Sequence, residues 1–251
     1  MKNIYAKKKV LSFYKIKFYD LGFDQIVKKI DSGGYIVAPA ASALVEIKKN
    51  ILYYNSLKNS RIAIFDSGFF CILLRLFFIY RPKKFSGFLF LKKFLDYEYA
   101  KNQKVLLINA SNHQGKINEK LLNKKKFKKI FLYTAPFYNQ NKIYDQRLIN
   151  YIKKKKPYYI IINIGGLKQE PLAFFIENTI KFKCRIFCLG GAIDFITGLQ
   201  APINEFVDKI YLGWLLRIIF KPNIFFIRVL RSLYLLNFFL RKKIFFGTKF
   251  K

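Results

Sequence analysis

Histidine occurs once in this chain, at position 113, cysteine three times, and acidic side chains number only 14. A single imidazole excludes histidine-rich metal centres, and with no partner carboxylate nearby His113 reads as a surface or turn residue. Cys71, Cys184 and Cys188 form an odd set with no metal-ligand spacing, which predicts reduced, structural thiols in a cytoplasmic setting. No run of eighteen uncharged apolar residues occurs, so no bilayer span is expected. The longest candidate, 69–80, contains Arg75 and suits a core helix. The lysine-rich N-terminal sequence has neither the apolar stretch nor the small-residue cleavage site of a signal peptide.

What is abundant is positive charge and apolar bulk. Lysine and arginine number 47, giving a formal charge of +33, and hydrophobic residues make up 53% of 251 positions. Such a chain can bury a real core. Its charge calls for an anionic partner, either nucleic acid or an acidic membrane surface, and composition does not choose between them.

The sequence is organised around 160–202. A buried strand at 160–164 runs into Gly165 and Gly166; a helix opens with Lys168, Gln169 and Glu170; a second strand at 185–189 ends on Gly190 and Gly191. That is a β-α-β unit. Glycine turns at the carboxyl ends of parallel strands admit a ligand close to the backbone, and the helix start offers unpaired N–H groups to a phosphate. Gln169 can reach a diphosphate or sugar and Lys168 can assist electrostatically, although both residue types also simply occupy helix starts. Asp194 is either an accessory carboxylate or a loop-fixing one.

Elsewhere, strands are expected at 35–37, 61–65, 104–109 and 129–133, and helices at 24–31, 41–54, 69–80, 88–100, 112–126 and 145–156. The predicted fold is α/β, a Rossmann-like, mostly parallel sheet flanked by helices over 1–202, with a basic helical appendage over 203–251. Asp66 follows the strand at 61–65, where open α/β sheets bind ligands; as a cap for the helix from Phe69 it would play a structural part instead.

No acidic residue follows Asp208. Arg217, Lys221, Arg228 and Arg231 fall at spacings that share one helical face, Pro222 divides the segment into two helices, and Trp214 stands at its start. Phe, Leu and Ile on the remaining faces fit a helix lying in a membrane surface, each cation contributing roughly 1 kcal/mol near an anionic leaflet. A hairpin packed on the core is the plainer reading.

Four blocks carry a resemblance: Gly165-Gly166-Leu167-Lys168-Gln169-Glu170; Gly190-Gly191-Ala192-Ile193-Asp194-Phe195 with Gly198; Ala201-Pro202; and Trp214-Leu215-Leu216-Arg217 with Pro222. Their order and spacing resemble the WecG/TagA/CpsF glycosyltransferases. The resemblance implies transfer of an N-acetylmannosamine-type sugar from a UDP donor to a polyprenyl-diphosphate-linked acceptor in cell-surface polysaccharide synthesis. The enzyme would be peripheral on the inner face of the cytoplasmic membrane, with no nucleic acid as partner and with homo-oligomer formation left open. It makes Asp66 the catalytic base of an inverting, metal-independent displacement without cofactor. Gly165, Gly166, Lys168, Gln169, Glu170, Gly191 and Asp194 then line the substrate site, and Lys84 stands where the family has an arginine.

The chain departs from the family pattern at Ala38 and Ala40, which replace a Thr-Pro-Asn type turn, at Leu167, which replaces a proline, and at Gln200, Gly213 and Asn223. A catalytically degenerate member used as a binding or scaffolding subunit is the alternative these departures raise.

Overall fold

The computed structural model describes residues 10–83, 85–140, 142–200, 218–220, 222–240 and 244–247, without the side chains of 224, 225 and 244–247. Lys84, Trp214, Arg217 and Lys221 lie outside the described residues, as do 201–216.

Seven parallel strands make the body of the sheet. They are β2 (Ile16–Tyr19), β3 (Gly34–Val37), β4 (Ile62–Ile64), β5 (Lys104–Asn109), β6 (Lys129–Thr134), β7 (Tyr159–Asn163) and β8 (Arg185–Cys188). With β1 (Val10–Phe13), antiparallel to β2, and β9 (Ile244–Gly247), antiparallel to β1, the order among the described residues is β6-β5-β7-β8-β3-β4-β2-β1-β9. The α/β, mostly parallel architecture expected from sequence is therefore present. The central strands read as unbroken apolar runs because both faces are covered. In β7, Ile160 and Ile162 enter one core, and Tyr159 and Ile161 the other.

The first core is roofed by α3 (Ile51–Lys58), α4 (Gly68–Phe78), α8 (Gln146–Lys155) and α9 (Gln169–Thr179); the second by α1 (Phe23–Ile30), α5 (Gly87–Leu95), α7 (Asn112–Lys124) and α10 (Ala192–Ile196). The helix expected over 41–54 is instead α2 (Ala41–Leu44), a 3₁₀ turn and α3, because Asn50 starts a new helix by accepting the N–H of Tyr53 at 2.8 Å. The helix expected over 88–100 likewise ends at Leu95, and α6 (Glu98–Lys101) follows after Asp96 and Tyr97.

From the C-terminal segment, α11 (Pro222–Leu233) and α12 (Leu236–Leu240) are helical, and β9 extends the sheet beside β1. Leu235, Phe238 and Phe239 are buried in the first core, where Phe239 lies 6.0 Å from Phe13 and 5.9 Å from Phe70 between ring centroids. Among the described residues, no helix is long and apolar enough to cross a membrane.

Candidate active site

Parallel strands deliver their carboxyl ends to one edge, and at that edge the loops after β4, β7 and β8 come together. Asp66 follows β4, half-buried, and its Oδ1 accepts the N–H of Gly87, the first residue of α5, at 2.9 Å. It does not cap α4: Ser67 does that, its hydroxyl accepting the N–H of Phe70 at 3.2 Å. Gly87 packs on the end of β8 so closely that a Cβ would lie 2.9 Å from the Leu189 carbonyl oxygen. One residue on, the Gly190 N–H donates to Gln169 Oε1 at 3.2 Å. Asp66 and Gln169 thus share one edge, each hydrogen-bonded to a backbone N–H, with Gly87 packed against Leu189 between the two bonds. They stand three strands apart in the order β7-β8-β3-β4, about 14 Å at ordinary strand spacing.

Gln169 is 1% exposed, and its Nε2 donates to Glu170 Oε1 at 2.9 Å. Both ends of its amide are therefore engaged within the protein. Glu170, also buried, accepts the N–H of Leu167 at 3.0 Å through Oε2. Burial pushes the Glu170 carboxyl up to about 7, while hydrogen bonds from Gln169 and backbone N–H groups pull the other way. The start of α9 is thus served by the chain's own acid. Leu167 takes φ +68° and donates its N–H to Glu170, and both features are closed to proline.

Above this framework the backbone is open. Among the described residues, no other atom lies within 4 Å of where a Cβ would stand on Gly165, at φ +87°, or on Gly166. Beside them Lys168 Nζ sits 3.6 Å from the ring centroid of Phe137, which is 91% exposed. Asp194 is fully engaged: Oδ1 accepts from Gln114 Nε2 at 2.9 Å and Oδ2 from Gln200 Nε2 at 3.2 Å. A Cβ on Gly191 would run into that same Gln200 amide.

Sequence reading passed over a cluster where β5 and β7 end. Their connections leave in opposite directions, β5 to β6 and β7 to β8, which makes this a switch point of the sheet. There Asn109 Oδ1 accepts from Asn118 Nδ2 at 2.8 Å and from Asn163 Nδ2 at 3.3 Å, all three buried. The available signal was one polar asparagine closing each of two apolar runs, VLLIN and IIIN. Ala38 is buried and Ala40 precedes α2, so neither offers a polar side chain to the edge; His113 is exposed on α7. The three cysteines are buried, and none of them is in a disulfide.

Compared with known proteins, the chain is matched over residues 11–249 by the family model described as the glycosyl transferase WecG/TagA/CpsF family. No curated protein matches it.

Proposed function

The chain belongs to the WecG/TagA/CpsF glycosyltransferase family, and from that premise we propose that it moves an N-acetylmannosamine-type sugar from a UDP donor to a polyprenyl-diphosphate-linked acceptor. The family supports the general role, a glycosyltransferase of cell-surface polysaccharide synthesis. One observation carries the finer reading. A half-buried carboxylate, Asp66, shares a sheet edge with an exposed glycine turn, 165–166, which no side chain of the described residues covers within 4 Å of a Cβ position.

In this reading the diphosphate of the donor lies over the Gly165-Gly166 turn near Lys168, and Phe137 offers an aromatic face to the base. Asp66 removes the proton of the acceptor hydroxyl while that oxygen forms its bond to the anomeric carbon. The bond from that carbon to the UDP oxygen breaks on the opposite side, UDP leaves with the electron pair, and configuration inverts. Positive charge near the leaving group, from Lys168 and from Lys84 outside the described residues, favours its departure. Gln169, Glu170 and Asp194 act through the loops they brace. No metal is assigned a role, and the sequence carries no Asp-X-Asp pair. The protein acts from the inner face of the cytoplasmic membrane, held there by its basic C-terminal helices.

The test is UDP release when the protein meets a panel of UDP-N-acetylhexosamines and a short polyprenyl-diphosphate acceptor, repeated with Asp66→Asn. The engagement of both ends of the Gln169 amide within the protein favours a second reading, a family fold used as a binding subunit. Donor binding without turnover, unchanged by Asp66→Asn, would select it.

A further inference from the structure

Ile79 ends α4 at φ +53° and ψ +20°, a left-handed conformation that glycine takes freely and that a β-branched side chain resists most. Its side chain is nonetheless 71% exposed, as is Leu76 one turn earlier. Ile79 is therefore a strained, solvent-facing isoleucine where glycine would fit. Ile72, Arg75, Leu76, Ile79 and Arg81, three apolar side chains and two arginines, line an open depression of about 330 Å³.

This surface does not stand alone. No acidic residue lies between Asp66 and Asp96, and none after Asp208. The fold brings these two acid-free stretches together, with Phe239 of α12 5.6 Å from Phe77 and 5.9 Å from Phe78 between ring centroids. α11, which packs on α2, exposes Phe226, Ile227, Leu230 and Leu233 together with Arg228 and Arg231. α4 begins at the carboxyl edge of the sheet, and the chain beyond its end returns to that edge. Its start follows Asp66, and beyond its end the Tyr80 ring lies 6.1 Å from that of Phe65, while the Lys83 N–H donates to Asp20 after β2 at 3.2 Å.

We propose that the exposed face of α4 is a second membrane-docking limb, which with α11 seats the candidate active site against an acidic bilayer. This rests on the membrane reading of the C-terminal helices and adds to it a helix that begins beside Asp66. Apolar side chains inserted between arginines, with no acid in either stretch, match an anionic leaflet and match neutral lipid poorly. Docking through α4 brings a lipid-linked diphosphate to the edge that carries Asp66.

Sedimentation of the full chain with vesicles of equal parts phosphatidylglycerol and phosphatidylcholine tests it. Ile79→Gly, Leu76→Glu with Ile79→Glu, and Arg228→Glu with Arg231→Glu are compared with the unaltered protein. Ile79→Gly relieves the strained turn, so its melting temperature is expected to hold or rise while vesicle partitioning falls several-fold; each double variant is expected to lose at least tenfold. Unaltered partitioning of both α4 variants beside a loss in Arg228→Glu with Arg231→Glu overturns the second limb and leaves the C-terminal one standing. Failure of the unaltered protein to bind vesicles removes both. A concentration-dependent dimer abolished by Ile79→Gly, without vesicle binding, would assign the face to a second copy of the chain and overturn the proposal.

Discussion

Gln169 Oε1 accepts the Gly190 N–H at 3.2 Å, so a side chain at the start of α9 holds the turn that follows β8. Gln169→Ala leaves that half-buried N–H without its partner and frees Glu170 from a donor. A loss of about 1–3 kcal/mol in urea unfolding is expected. Because the same bond shapes both glycine turns, the KM for donor should rise in parallel. A variant that unfolds as readily as the unaltered protein while losing all turnover would instead place the amide on substrate.

Asp66→Asn keeps a side-chain oxygen for the Gly87 N–H and removes the ability to take a proton. The expected result is a fall in kcat of roughly 10²–10⁴ with donor KM and melting temperature nearly unchanged. A fall in melting temperature with little loss of kcat would reduce Asp66 to a brace for α5.

The buried Glu170 carboxyl makes stability depend on pH. Its folded value of about 7 lies above the ordinary 4.5, so the folded state holds this proton more tightly than the unfolded chain does. The stabilisation is complete below the unfolded value and is lost as pH rises through about 7, amounting to on the order of 3 kcal/mol once both states are ionised. Glu170→Gln, which resembles the protonated form, should flatten the profile between about pH 5 and pH 8 in denaturant titrations. An identical slope in both proteins would rule out this group as its source.

Phe137 and Lys168 form a cation–π pair beside the open glycine turn. Phe137→Ala removes the exposed ring without touching the core, so folding should be unaffected. Donor KM is expected to rise roughly tenfold, the equivalent of about 1.4 kcal/mol. Uridine competing equally well with both proteins would show that the ring does not meet the base.

The body of the fold was legible because buried parallel strands write themselves as apolar runs, and the turn after β7 carried its glycines openly. The antiparallel edge was not. β1 and β2 are joined by Tyr14 and Lys15 at φ +49° and +65°, a tight turn made without the asparagine or glycine that usually announces it. β9 pairs with β1 from the other end of the chain, so no local pattern could reveal it. In the site, position was readable and engagement was not. Asp66 stood at a strand end, but its bond to Gly87 spans 21 residues, and nothing near Glu170 in sequence showed that it would be buried.

Gly87 and Gly191 separate two kinds of crowding at the same edge. At Gly87 an added methyl meets the Leu189 backbone oxygen at 2.9 Å, and neither the strand end nor the helix start can give way without moving the N–H that holds Asp66. At Gly191 the nearest atoms the methyl meets belong to the far end of the flexible Gln200 side chain. Gly87→Ala should therefore destabilise by about 1–3 kcal/mol and lower kcat along with it. Gly191→Ala should fold nearly normally, with Gln200 swung away from Asp194. Equal effects of the two substitutions on kcat would mean that the placement of the Asp66 carboxylate does not limit the reaction.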